Sequence, residues 1–204
     1  MKQLFLVRHG TTVQTQERRY SGVSDVGLAE LGVRQVRLVG EFFRSKEFGL
    51  IYSSPLKRCV ATAGAISTAS DVCVESLAGL GEINFGLWEG LTFEEIQKAY
   101  PEQLKCWCEN PNAFTFPKGE SVCEFYKRVL GAMEIILAGT GDVVVVAHGG
   151  SLRVMICNLC GWPTESLHSF ELAPASVTVL KCYERSTVVS VLNDTCHLSD
   201  GGMA

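Results

Sequence analysis

Apolar residues in this chain fall into short β-branched runs separated by longer stretches with helical spacing. Residues 3–8 form an apolar run too short for a helix, and predict a buried strand. The polar, glycine-dotted stretch 11–27 reads as loop, and apolar positions 28, 31, 36, 38, 39, 42 and 43 predict a helix over 28–44. Residues 50–53 predict a second strand. Ser54 and Pro55 then read as the N-cap and first turn of a helix reaching about Thr68. A short strand over 72–75 and a loop over 79–90 follow. Thr92 opens the next helix, with Glu95 completing a capping box, and another helix starts after Pro101. A loop over 116–121, a helix over 121–138, a strand over 142–147, a helix over 151–160 and strands over 176–182 and 187–193 complete the pattern. This alternation predicts an α/β fold: a single domain over 1–198 with a largely parallel central β-sheet and helices on both faces. The end, 199–204, is expected to be a flexible tail.

Composition narrows the class. The chain has 204 residues, 47% hydrophobic and 20% charged, which are globular values. Its net charge of −4 argues against a general nucleic-acid binder, which carries a basic surplus, but leaves room for a local anion site. No apolar run reaches membrane-spanning length, and Met1-Lys2-Gln3 leads directly into the first strand without the pattern of a signal peptide. Nine cysteines are scattered through apolar segments, so a cytoplasmic protein with reduced thiols is expected. Cys157 and Cys160 have CxxC spacing. A zinc site needs a second ligand pair, however, and Cys106 and Cys108 have the wrong gap for one.

The chemistry concentrates at two corners with one grammar. "LFLVRHG" (4–10) and "VVVVAHGG" (143–150) each run from apolar strand to histidine to glycine. In open parallel sheets, ligands sit at the carboxyl ends of strands, beside helix N-termini that attract anions. His9 and His148 fall there, and Arg58, early in the helix after the second strand, can reach the same place. Arg8 is the most informative residue: a guanidinium at the end of a buried strand is expensive unless an anion compensates it. Taken singly, such a histidine is more often a hydrogen-bonded structural group, and such an arginine a solvated charge. Together the four predict one anion pocket lined by both imidazoles and both guanidiniums.

Five blocks, "LVRHGTT" (6–12), "SSPLKRCVATA" (53–63), "LGEINFGLWEG" (80–90), "FPKGES" (116–121) and "VVAHGG" (145–150), together resemble the histidine phosphatase, or phosphoglycerate-mutase-like, superfamily in content and order. The resemblance implies that His9 is a nucleophile forming a phosphohistidine. It implies that Arg8, Arg58 and His148 surround the phosphoryl oxygens with help from the backbone near Gly149, and that Glu82 donates a proton to the leaving alcohol. Cationic clamps suit phosphoryl transfer, and a histidine flanked by arginines is held neutral for attack. Ile83, Phe85, Leu87 and Trp88 are expected to give Glu82 an apolar setting that suits such a donor. No cofactor and no metal is implied, since the arginines supply the charge. The partner implied is a small-molecule phosphate ester, with no nucleic acid and no membrane; a homodimer is left open.

The chain also departs from the family's pattern. Thr11 and Thr15 stand where the family often has Glu and Asn; Thr15 can still donate through its hydroxyl. In "YSG", Ser21 and Gly22 occupy the family's substrate-side loop, where the Gly22 N–H can face the phosphate. The segment between Glu89 and Phe116 lacks the paired arginines of the family's mutases, which favours a phosphatase. The loops resemble most those of enzymes that dephosphorylate α-ribazole 5′-phosphate in cobalamin assembly. A broad-specificity metabolite phosphatase, a mutase-like enzyme and an inactive phospho-ligand binder are the alternatives. Phe85, Trp88, Trp107, Phe114 and Phe116 can form an apolar lip over a bulky leaving group, or pack as core.

Overall fold

In the computed structural model, which describes residues 1–199, the chain opens with strand β1 (Lys2–Arg8), the short helix α1 (Val13–Gln16) and helix α2 (Glu30–Phe43). Strand β2 (Leu50–Ser53), helix α3 (Lys57–Ser70) and strand β3 (Val74–Ser76) follow. Helices α4 (Phe93–Ala99), α5 (Pro101–Glu109) and α6 (Val122–Ala138) precede strand β4 (Val143–Ala147) and helix α7 (Gly149–Cys160). Strands β5 (Val177–Cys182) and β6 (Thr187–Asp194) form a closing hairpin. The strands make one mixed six-stranded sheet in the order β3-β2-β4-β1-β5-β6. The first four run parallel, while β5 pairs antiparallel with both β1 and β6.

The pleat sorts the core into two layers. Phe5, Val7, Val144 and Val146 face α2 and α3 through Val39, Phe43, Cys59, Ala63 and Ile66. Leu4, Leu6, Val143 and Val145 face the opposite side, against Val129, Met133 and Ile136 of α6 and Leu152 and Ile156 of α7. Strands covered on both faces read as continuous apolar runs, which is why "VVVV" is a strand. At roughly 1.5–3 kcal/mol for each fully buried large aliphatic side chain, these layers hold the strand ends rigidly in register. Arg8 of β1 pairs in register with Ala147 of β4, so His9 and His148 leave the sheet side by side.

Three boundaries differ from the sequence reading. Part of the expected loop 11–27 is α1, whose Thr12 and Thr15 form a reciprocal capping box. Ser54 is not the cap of α3: the cap is Leu56, and the helix starts at Lys57. Helix α7 starts at Gly149, two residues before the expected 151. The capping box of Thr92 and Glu95 is present, and a third one joins Ser121 to Glu124. Of the expected tail, 200–204 lie outside the described residues. No helix of the described residues is long and apolar enough to cross a membrane.

Candidate active site

A cavity of about 790 Å³ opens at the carboxyl ends of β1 and β4. Its lining includes Arg8, His9, Thr15, Ser21, Glu82, Gly149 and Arg153. The His9 ring is buried, with Nδ1 2.8 Å from the Gly10 carbonyl oxygen. A carbonyl can only accept, so Nδ1 carries the hydrogen and Nε2 is left with a free lone pair. Burial, and then the charges of Arg8 and Arg58, hold the imidazole pKa well below its ordinary value of 6.5. The ring is therefore neutral at pH 7.

Arg8 has the donors to match. Its Nη1 donates to the Leu172 carbonyl at 2.5 Å, but its buried Nε has no hydrogen-bond partner among the described residues. A buried, unpartnered N–H on a guanidinium is costly and marks the place of an anion. Gly149 lies against this guanidinium at the first position of α7: a Cβ there would sit 3.6 Å from Arg8 Nε. Anion and helix N-terminus suit one another.

Glu82 is buried and lines the same cavity. Its Oε2 accepts the Gly150 N–H at 2.8 Å, and its Oε1 accepts the Ile83 N–H at 3.1 Å. Each oxygen keeps a further lone pair, where a proton can be held. A Cβ on Gly150 would collide with Oε1, so the second glycine after His148 makes room for the carboxyl. The loop carrying Glu82 is clamped from α6. Arg128 donates to the carbonyls of Gly79 (3.1 Å), Gly81 (2.7 Å) and Glu82 (2.8 Å). Glu120 grips Arg128 through both oxygens, at 2.6 and 2.9 Å. This pairing accounts for the glutamate of "FPKGES".

The second corner is closed. His148 lies with its ring centroid 5.1 Å from that of His9, but it is wholly buried and does not line the cavity. Arg58 Nε donates to its Nδ1 at 3.2 Å, which puts the hydrogen of the neutral ring on Nε2. That nitrogen is 2.8 Å from Ser54 Oγ and 3.4 Å from the Cys59 sulfur, whose thiol burial pushes up to about 12. Burial and the neighbouring His9, Arg58 and Arg8 hold His148 well below 6.5 as well. Arg58 is equally engaged: it donates to the carbonyls of Ser24 (2.8 Å) and Gly22 (2.6 Å). The expectation that all four groups line one pocket is therefore corrected. Arg8 and His9 line it; Arg58 and His148 form the layer behind.

The loop residues divide similarly. The Gly22 N–H does not face the cavity. It donates to Glu89, whose carboxylate also accepts the N–H groups of Val23, Ser24 and Phe85. Loop 21–24 is thus held by Glu89 through its N–H groups and by Arg58 through its carbonyls. Ser21 does line the cavity, with a buried hydroxyl that has no partner among the described residues. Thr15 lines it too, but its hydroxyl donates to the Thr12 carbonyl at 2.8 Å. Thr11 is buried beside α2, where its N–H donates to Gln35. Of the aromatic set, Phe85, Trp107 and Phe116 line the cavity, while Trp88 and Phe114 are packed behind them. Glu89, Arg128 and Arg153 escaped the sequence reading. Only the "GES" block pointed towards the Glu120–Arg128 pair.

A free imidazole nitrogen beside an unpartnered guanidinium, a helix N-terminus and a carboxyl is the equipment for phosphoryl transfer through histidine. Comparison with known proteins agrees. Residues 4–195 match the model of the histidine phosphatase superfamily (branch 1), and the chain belongs to that family. Phosphoserine phosphatase 1 of Hydrogenobacter thermophilus is 37% identical over 202 residues, 98% of this chain and 96% of that protein. A mutant phosphoserine phosphatase from Entamoeba histolytica, solved with phosphoserine, superposes with a TM-score of 0.85 at 29% identity, covering 98% and 100% of the two chains. The α-ribazole phosphatase of Shigella flexneri superposes with a TM-score of 0.85 at 25% identity, covering 94% and 96%. Family and relatives together support a phosphatase enzyme.

Proposed function

We propose that the protein is a phosphomonoesterase acting on a small-molecule phosphate ester through a phosphohistidine on His9. The reading rests on one observation above all: the free Nε2 of a neutral His9 and the unpartnered Nε of Arg8 meet in one cavity that also holds Glu82. In the first step Nε2 attacks phosphorus, and the bond from phosphorus to the ester oxygen breaks. Arg8 and the first turn of α7 bear the charge on the phosphoryl oxygens, while Glu82 gives its proton to the departing alkoxide. In the second step water attacks phosphorus, the phosphorus–nitrogen bond breaks, and Glu82 takes the water proton. Arg58 and His148 act by holding the loop and the nucleophile's neighbour in place.

For the leaving group, the 37% identity to a phosphoserine phosphatase favours phosphoserine. The aromatic walls and the size of the cavity, far larger than a serine side chain needs, keep α-ribazole 5′-phosphate as the second reading. Turnover of a panel of phosphate esters by wild type and His9→Ala tests the reading. Loss of hydrolysis in the variant supports it; unimpaired turnover contradicts it. Phosphate binding without turnover of any ester would instead identify an inactive binder.

A further inference from the structure

Arg153 has no part in the chemistry above, although it lines the same cavity. It stands one turn beyond Gly149 on α7. Its Nε and Nη2 reach the Phe170 carbonyl only at 3.4 Å each, at the long limit of a hydrogen bond. No carboxylate among the described residues lies within ion-pair distance of it. Both facts are unusual for a guanidinium that burial desolvates enough to lower its pKa. Its remaining nitrogen, Nη1, points back to the helix start: a Cβ on Gly149 would lie 3.3 Å from it and 3.6 Å from the unpartnered Arg8 Nε. Two guanidiniums thus flank one glycine, each with donors to offer. The phosphoryl group accounts for Arg8, at the His9 end. Arg153, held at Phe170, lines the same cavity as Thr164, Leu167 and His168.

Resting on the phosphatase reading above, we propose that Arg153 is a specificity residue that binds a second anion, a carboxylate on the leaving group two or three bonds from the ester oxygen. The substrate class is then a phosphorylated hydroxy acid or amino acid. A planar guanidinium matches a carboxylate in shape and number of donors, and its anchoring at Phe170 fixes it before substrate arrives. A nucleoside-type leaving group has no carboxylate and leaves Arg153 unpaired.

The test uses O-phosphoserine and O-phosphoethanolamine, which differ only in the carboxylate, with the full-length protein. Wild type is expected to favour O-phosphoserine by about 50-fold in kcat/KM, the scale of a charge-assisted hydrogen-bonded pair. Arg153→Gln should shrink that preference to within a few-fold, and Arg153→Lys, which keeps the charge but not the fork, should fall between. Equal turnover of both esters by wild type overturns the proposal without needing a variant. So does an equal loss on both in Arg153→Gln, which would place the guanidinium on the phosphoryl group or in the framework. Turnover of p-nitrophenyl phosphate but of neither ester also overturns it and leaves the phosphatase reading standing. Turnover of no ester removes both.

Discussion

His9 and His148 both follow a strand with an apolar core and precede glycine, and their ring centroids lie 5.1 Å apart. What separates them is hydrogen-bond capacity. His9 uses one nitrogen on the Gly10 carbonyl and presents the other to the cavity. His148 has both nitrogens engaged, one by Arg58 and one by Ser54, and is sealed from the cavity. Their arginines divide alike, Arg8 with a buried donor nitrogen unmet and Arg58 with each nitrogen met by a loop carbonyl or His148. Two corners built from the same residue types thus do different work. The unsatisfied corner meets substrate, and the satisfied one braces it.

Substitutions at the two corners should separate in size. His9→Ala is expected to lower kcat by about 10⁵-fold, because the nucleophile itself is gone. Glu82→Gln should cost about 10³-fold on an alkyl phosphate and far less on p-nitrophenyl phosphate, whose leaving group needs little protonation. His148→Ala should cost about 10²-fold, the scale of a misplaced rather than a missing group, and should still form phosphoenzyme. A loss equal to that of His9→Ala, measured by steady-state turnover, would erase the distinction between the corners. Arg128→Gln should cost about 10-fold on alkyl phosphates and little on p-nitrophenyl phosphate, since it acts by positioning Glu82. Equal losses on both esters would assign Arg128 to the framework alone.

Much of this fold is legible in the sequence because local pattern and burial agree. The "VVVV" run, the Thr92–Glu95 capping box and the helical spacing over 28–44 each match an observed element. Errors arose where a distant partner claims a local group. Ser54 looks like an N-cap, but its hydroxyl is met by His148, 94 residues away, and the helix begins after it. Gly22 looks like a phosphate donor, but Glu89 takes its N–H from another loop. Helix α7 starts early, on two glycines of poor propensity, because Glu82 caps the Gly150 N–H and leaves no space for a side chain. Arg128 and Arg153 sit mid-helix, where an arginine reads as a solvated charge until packing shows otherwise. The candidate set of Arg8, His9, Arg58, Glu82 and His148 does come together; which of them face the cavity required the hydrogen bonds.

The corners make one smaller, shared prediction. Both histidines have folded pKa values far below 6.5, so the unfolded chain binds more protons than the folded one once pH drops past that value. Their contribution to stability is complete above pH 6.5 and is lost as pH falls. The slope is up to about 1.4 kcal/mol per pH unit for each ring. Denaturant unfolding at pH 7.5 and 5.5 should show a smaller drop for His9→Asn than for wild type; an equal drop would contradict the neutral, buried ring.

The distinction between the corners is tested most directly by finding where the phosphate goes. Rapid quenching with a labelled ester, followed by peptide mapping at alkaline pH, should place a base-stable, acid-labile phosphate on the peptide that carries His9, with the phosphorus on Nε2. Label on the peptide that carries His148, or turnover with no label on either histidine, would contradict the account.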